Sequence, residues 1–402
     1  MRRKNACITN HRTYFGGDDF VGMATVNFGN FPVHPLTNSA SHATIDESIL
    51  RERTSVMEQQ QPHKRRKRYK GTHPRKFSEK YKELNPEKYQ DDVKKIIGQG
   101  KTPAGMHISI MVQEILDFLQ IQPGQIGYDA TLGYGGHTRR MLECLHGQGH
   151  MYATDVDPIE SEKTKKRLAE LGFGEDILTI RRMNFSEIDK VADEKFDFVL
   201  ADLGVSSMQI DNPERGFTFK QDGPLDLRLD PTSGTSAAQR LCELDEEELV
   251  GLLVENSDEP YAQCIASEIM RTFARGETID TTRQLYDAIA RALSFLPKSE
   301  QKDMVKKSCQ RCFQALRIDV NSEFEVLYAF LEKLPTVLKP GGRVAILTFH
   351  SGEDRLVKKA FKQGVRDGVY REAARDVVRP SAQECYQNPR AHSTKMRWAI
   401  KA

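Results

Sequence analysis

Five short apolar runs, separated by stretches with helical spacing, constrain this chain more than any other feature. They occupy residues 126–130, 150–155, 177–180, 196–203 and 343–349. Such alternation suits a parallel sheet with helices on both faces, because its strands are buried on both sides and each crossover needs a helix. A further helical pattern, from Ile108 to Leu119, precedes the first run and ends at Pro123-Gly124. The fourth and fifth runs lie much further apart than one crossover requires. Residues 236–255, 260–275, 282–296 and 302 onward in that gap each read as helix. The expected fold is α/β, a Rossmann-like sheet formed by residues 105–210 and 311–402 with a helical subdomain inserted at 211–310.

Composition narrows the possible partners. No apolar run approaches the length of a bilayer span, so membrane embedding is not expected. Lys plus Arg total 59 against 57 Asp plus Glu, a formal charge of +2, so any nucleic-acid signal must be local. One such place is evident. His63, Lys64, Arg65, Arg66, Lys67, Arg68 and Lys70, followed by Arg75, Lys76, Lys80 and Lys82, concentrate positive charge with aromatic residues interleaved. Residues 61–104 thus read as a basic N-terminal extension, and residues 1–60, which lack sustained periodicity, as a disordered leader. The basic start carries no apolar core of the secretory kind. The cytoplasm is the expected location, with mitochondria as the alternative. Seven scattered cysteines fit a reducing compartment. Cys309 and Cys312 form one C-x-x-C without a second ligand pair, so no metal site is expected.

The candidate chemistry lies where the runs end. The first run leads into Thr131-Leu132-Gly133-Tyr134-Gly135-Gly136-His137, a glycine-rich turn that opens a helix, where backbone amides can approach a ligand closely. Thr138 stands where a dinucleotide fingerprint wants its third glycine, which weakens a diphosphate reading. The second run ends in Asp155, about twenty residues past the glycines, where nucleotide-binding sheets place an acid on ribose hydroxyls. Asp157 is the alternative acid, or else a helix cap. A ribose without a diphosphate suggests S-adenosylmethionine. The third run delivers Asn184-Phe185 and the fourth Asp202-Leu203-Gly204-Val205-Ser206-Ser207, all expected to converge with the glycine turn.

Several blocks then resemble a known family. Residues 202–209 (DLGVSSMQ), 213–217 (PERGF), 222–228 (DGPLDLR), 313–321 (FQALRIDVN), 340–343 (PGGR), 349–355 (FHSGEDR) and 388–391 (NPRA) occur in the order found in the bacterial-type small-subunit ribosomal RNA cytosine-N4 methyltransferases, also called RsmH or MraW. The resemblance covers about residues 105–402, and the basic stretch 63–89 is similar to an extension carried by some members. It implies a Rossmann-like S-adenosylmethionine-dependent methyltransferase domain, with small-subunit rRNA, in an assembled or assembling subunit, as partner. The implied product is a decoding-site cytosine of 16S-type rRNA methylated at N4. By motif match, Gly135, Gly136, His137, Asp155, Phe185, Asp202 and Gln209 would hold the donor. The family pattern carries Leu where this chain has Gly352, and more commonly Phe with Arg where it has Leu132 with Tyr134.

The N4 amine of cytosine is a poor nucleophile until an acceptor takes a hydrogen bond from its N–H. Asp202, or a carbonyl after it, is the candidate acceptor, although Asp202 is equally suited to a purely cofactor role. Phe217, Phe219 and Tyr261 are candidates to stack on a flipped base. His350 reads either as structural or as facing substrate. Arg215, Arg228, Arg317, Arg343, Arg355 and Arg390 sit in or beside the family blocks, to grip phosphates or to pair with acids such as Asp226 and Glu353. Two other classes compete: a DNA or small-molecule amino-methyltransferase, and a non-catalytic ribosome-assembly factor. Other amino-methyltransferases carry an Asp/Asn/Ser-Pro-Pro-aromatic block after the fourth strand, where this chain has Asp202-Leu203-Gly204-Val205. Its absence speaks against a DNA enzyme, the basic segment against a small-molecule one, and the complete donor set against a mere binder.

Overall fold

The computed structural model describes residues 109–402, so the expected leader and basic extension lie outside the described residues. Strands β1 (Ile126–Asp129), β2 (His150–Asp155), β3 (Leu178–Arg182) and β4 (Phe196–Asp202) pair in parallel, and β5 (Leu338–Thr348) joins β4 in the same sense. Two further strands, β6 (Tyr370–Ala373) and β7 (Lys395–Lys401), complete a seven-stranded sheet in the order β3-β2-β1-β4-β5-β7-β6, with β7 antiparallel to both neighbours. The strand order reverses at β1, so the ends of β1 and β4 flank the crevice in which open α/β sheets bind ligands.

The helices follow from the sequence pattern. Helix α1 (Val112–Leu119) packs Ile115 and Leu119 on the sheet, and α2 (Gly136–Leu145) follows β1 directly. Helix α3 (Pro158–Glu170) is capped by Asp157, whose carboxylate accepts from the amides of Ile159 and Glu160, with Pro158 at the first helical position. A short α4 (Ser207–Asp211) follows β4 and opens on a Ser206/Gln209 capping box.

The insert comprises α5 (Ala237–Glu243), α6 (Glu246–Ser257), α7 (Ala262–Ala274), α8 (Thr282–Ala292) and the first part of α9 (Lys298–Val320). The single helix expected at 236–255 is two, because Asp245 caps α6 through the Glu248 amide and Leu244 leaves the helical conformation. The insert buries a core of its own, including Leu241, Leu253, Ile265, Ile269, Leu285 and Ile289. Cys309 and Cys312 belong to this core on α9, and burial pushes the Cys309 thiol up to about 12 and that of Cys312 well above its ordinary value. Neither is poised to act as a thiolate. Helix α10 (Glu323–Val337) returns the chain to β5, and α11 (Ser351–Arg366) and α12 (Ala382–Gln387) lie on either side of β6 in the sequence.

Candidate functional site

The carboxyl ends of the parallel strands open onto a cavity of about 590 Å³. Its lining includes Gly135, Gly136, His137, Asp155, Phe185, Asp202 and Gln209, all seven residues singled out from sequence. The glycine turn is fixed from below by Asp129, a fully buried carboxylate that accepts from the Thr131 amide at 3.0 Å and the Thr138 hydroxyl at 2.6 Å. Gly135 has φ +79° and precedes α2, and a Cβ there would lie 2.7 Å from Thr164 Cγ2, so only glycine suits the turn. No side chain caps α2, whose first amides are therefore available at the cavity wall.

The two candidate acids of β2 separate cleanly. Asp155 lines the cavity and accepts from the Gly133 amide at 2.7 Å and the Asp157 amide at 2.8 Å. Burial raises its pKa to about 6 despite those two bonds. Asp157 does not line the cavity. Besides capping α3, its Oδ2 accepts from Gln209 Nε2 at 2.9 Å and from Arg215 Nη1 at 2.6 Å. Arg215 also donates to the carbonyls of Arg228 and Leu229, which ties the start of the insert to the root of α3. Gln209 is thus largely committed to this network, because its Oε1 also accepts from the Ser206 amide.

Asp202, at the end of β4, has a different environment. Its Oδ1 is buried without a hydrogen-bond partner, and its Oδ2 lies 3.5 Å from His137 Nδ1. Burial raises its pKa to about 6, and Asp129 and Glu353 act in the same direction against His137. His137 Nε2 lies 2.9 Å from the Ile110 carbonyl, which only accepts, so that nitrogen carries a proton. Either Nδ1 or Asp202 must then carry another for the two to attract.

The wall opposite the glycine turn is built by α9, α10 and the start of α11. Arg317 holds Glu323 through two bonds, at 2.7 and 2.9 Å. Glu353 accepts from the Phe349 amide at 2.9 Å, and His350 Nε2 lies 3.2 Å from its other oxygen. Burial pulls the Glu353 pKa up, but His350, Arg317 and the Phe349 amide outweigh it and hold the group below its ordinary value. Glu323, His350 and Glu353 bring potential ligand atoms within 4.8 Å of one another, yet Arg317 already supplies the cation that their charge requires. At Gly352 a Cβ would lie 2.6 Å from the Phe324 ring, which fills that space and packs beside His350. Tyr134, in the glycine turn, carries the Arg167 guanidinium 3.5 Å above its ring.

Three expectations about aromatic residues need correction. Phe217, Phe219 and Tyr261 pack against the insert's own core, Phe219 on Tyr286 and Phe313 and Tyr261 on Phe295, and none lines the cavity. The cavity's aromatic residues are Tyr134, Phe185 and Phe349, and Phe185 meets Phe330 edge-on at 5.2 Å. The arginines divide as well. Arg215 pairs with Asp157, Arg228 with Asp226, Arg317 with Glu323 and Arg390 with Asp211, and Arg343 donates to the Phe118 carbonyl and Gln120. Arg355 alone of the six is exposed, with no ion pair among the described residues.

Residues 104–402 match the model of the MraW methylase family. This chain belongs to that family. It is 67% identical over 348 residues to ribosomal RNA small subunit methyltransferase H 1 of Agathobacter rectalis, a match covering 86% of this chain and 100% of that one. It is 61% identical to ribosomal RNA small subunit methyltransferase H 2 of Alkaliphilus metalliredigens, over 85% of this chain and 99% of the other. A more distant relative, ribosomal RNA small subunit methyltransferase H of Thioalkalivibrio sulfidiphilus, is 39% identical over 74% of this chain and 98% of its own length. The first two matches cover more of the chain than residues 104–402 supply, so they reach into the basic segment, as the MraW model does not.

Proposed function

We propose that this chain transfers a methyl group to the N4 amine of a decoding-site cytosine in small-subunit (16S) rRNA, acting in the cytoplasm on an assembled or assembling subunit. It is a methyltransferase of the MraW family, and S-adenosylmethionine is its methyl donor. The reading of the site rests on one observation above all: the ends of β1, β2 and β4 and the segment after β3 meet at one cavity, where Asp202 presents a buried carboxylate oxygen with no partner. A sulfonium-bearing nucleoside suits such a place, since its charge and hydroxyls would satisfy acids that the protein itself leaves open.

Gly135, Gly136, His137, Asp155, Phe185, Asp202 and Gln209 would hold the donor, with Asp155 on the ribose and Phe185 beside the adenine. Bound S-adenosylmethionine supplies an electrophilic methyl group. The remaining work is positioning and proton handling. The cytosine nitrogen must be brought in line with the methyl carbon, which lowers the barrier by pre-ordering the two reactants. Asp202 would accept the hydrogen bond of the N4 amine while the N–C bond forms, and then take the proton that the amine loses. The helical insert, fastened at Arg215, would present the RNA.

The test is transfer of labelled methyl to assembled small subunits, to naked small-subunit rRNA and to DNA, followed by nucleoside analysis. Label in N4-methylcytidine from subunits or rRNA, lost in Asp202→Ala, is the expected result. A variant that no longer binds donor would assign Asp202 to the cofactor. Donor binding without transfer to any of the three would sink the assignment.

A further inference from the structure

On many other faces of the described residues, exposed cations are paired with acids or interspersed among them. Lys163 meets Glu160, Lys165 meets Glu175, Arg283 meets Asp287, and Arg271, Arg275 and Arg291 share Glu268. Helix α11 is different. Arg355, Lys358, Lys359, Lys362 and Arg366 are all exposed, and among the described residues none forms an ion pair. Their spacing places them within a stripe about 100° wide that runs about 16 Å along the helix. The acids of α11 do not offset it. Glu353 is buried at the cavity, and Asp354 is taken by Arg397 at 2.6 Å and Lys395 at 3.5 Å.

The position of the stripe matters as much as its charge. Phe349, just before α11, and Glu353, in its first turn, line the cavity; the stripe starts within one turn of Glu353 along the axis, on the opposite, solvent-facing side of the helix. Five like charges on one helix face repel one another and lower stability slightly when nothing lies over them. A polyanion laid along the helix reverses that sign, and a nucleic-acid backbone presents its phosphates in such a row.

We infer that the exposed face of α11 is a docking track for the phosphodiester backbone of the RNA substrate, running outward from the cavity wall built by Glu353. This inference rests on the rRNA reading above. Lysines held as separate point charges suit phosphates without regard to base sequence, so the track would set affinity and register and leave base choice to the cavity.

The experiment compares the full chain with a Lys358→Gln, Lys359→Gln, Lys362→Gln triple variant on small-subunit rRNA across a salt series. The expected result is a KM for rRNA raised about 10- to 100-fold at moderate salt, with kcat and donor affinity unchanged. The slope of log affinity against log salt should become shallower by about two to three, close to one for each phosphate no longer neutralised. The basic segment at residues 63–82 is present in both proteins, so its contribution cancels. An unchanged KM and slope, with normal methylation by the parent chain, overturns the track and leaves the enzyme reading intact. Failure of the parent chain to methylate rRNA overturns that reading instead. Binding to vesicles of anionic phospholipid is measured in parallel: lipid binding lost in the triple variant while rRNA KM is unchanged would assign the face to a membrane surface and overturn the inference.

Discussion

Charge is handled in opposite ways on the cavity wall and along the exposed face of α11. Of the arginines that line the cavity, Arg317 is assigned to Glu323 and Arg390 to Asp211, and at the root of α3 Arg215 is assigned to Asp157. On α11, five cations have no assigned acid among the described residues. Paired charges fix geometry, because each bond restricts where the partner can sit. Unpaired charges leave geometry open and hold free energy in reserve for a ligand. The same residue types therefore serve as scaffold in one region and as binding surface in the other.

The largest effect expected from breaking this division is at Asp202, the open acid of the scaffold. Asp202→Ala should lower kcat by about 10²- to 10⁴-fold, the usual scale of a positioned acid or base, in a protein that still folds. Single-turnover methyl transfer, with a far-UV spectrum as control, measures it. Next comes the Arg215 to Asp157 pair. Arg215→Met strands a carboxylate that is completely buried, which should cost about 3–5 kcal/mol in urea unfolding. A loss below about 1 kcal/mol would show that the pair fixes little.

Protons give a finer test. The Asp202 carboxyl titrates near 6 in the folded protein against an ordinary value of 3.8, so the folded state binds more protons between those values. Stability from this group is therefore present below about pH 4 and is lost as pH rises toward 6. Asp202→Asn should raise Tm by a few degrees at pH 7, with the gain fading on acidification toward pH 4. If Asp202 is the acceptor, kcat of the parent chain should also fall as pH drops through about 6, and an activity flat from pH 5 to 8 would exclude that role. The smallest effect belongs to single cations. Lys359→Gln should move stability by less than about 0.5 kcal/mol and make the salt dependence of rRNA binding shallower by about one, whereas Arg228→Gln, from a bidentate pair, should leave that slope unchanged.

Much of this was legible in the residues. β1, β2 and β4 fall within a residue of their expected apolar runs, whereas β3 starts one residue late and extends through Arg181 and Arg182, which pair with β2. β5 begins five residues earlier than its apolar run, at Leu338, because Pro340-Gly341-Gly342 reads as a turn yet is absorbed as an irregularity in its pairing with β4. β6 holds Arg371 and Glu372, and β7 holds Lys395, Arg397 and Lys401, so neither gave an apolar run to read. The glycine turn, Asp155, Phe185 and Asp202 could be placed together because strand ends of a parallel sheet converge by topology. Partners chosen by side chains across long loops could not. Nothing local in Asp157 announces Arg215, 58 residues on, and nothing in Phe217 or Phe219 tells whether it faces the cavity or the insert's core.

The position of the insert bears on how the chain reaches this state. β4 and β5 are neighbours in the sheet, yet residues 203–337 lie between them. Bringing such ends together in a flexible chain costs roughly 4 kcal/mol in closure entropy before a single β5 contact forms. Because the helices of the insert meet within one stretch of sequence around a core of their own, they can collapse first and shorten the open segment. The central seam of the sheet, and with it the floor of the cavity, would then close late in folding, so the candidate site should be among the last parts of the described fold to exist.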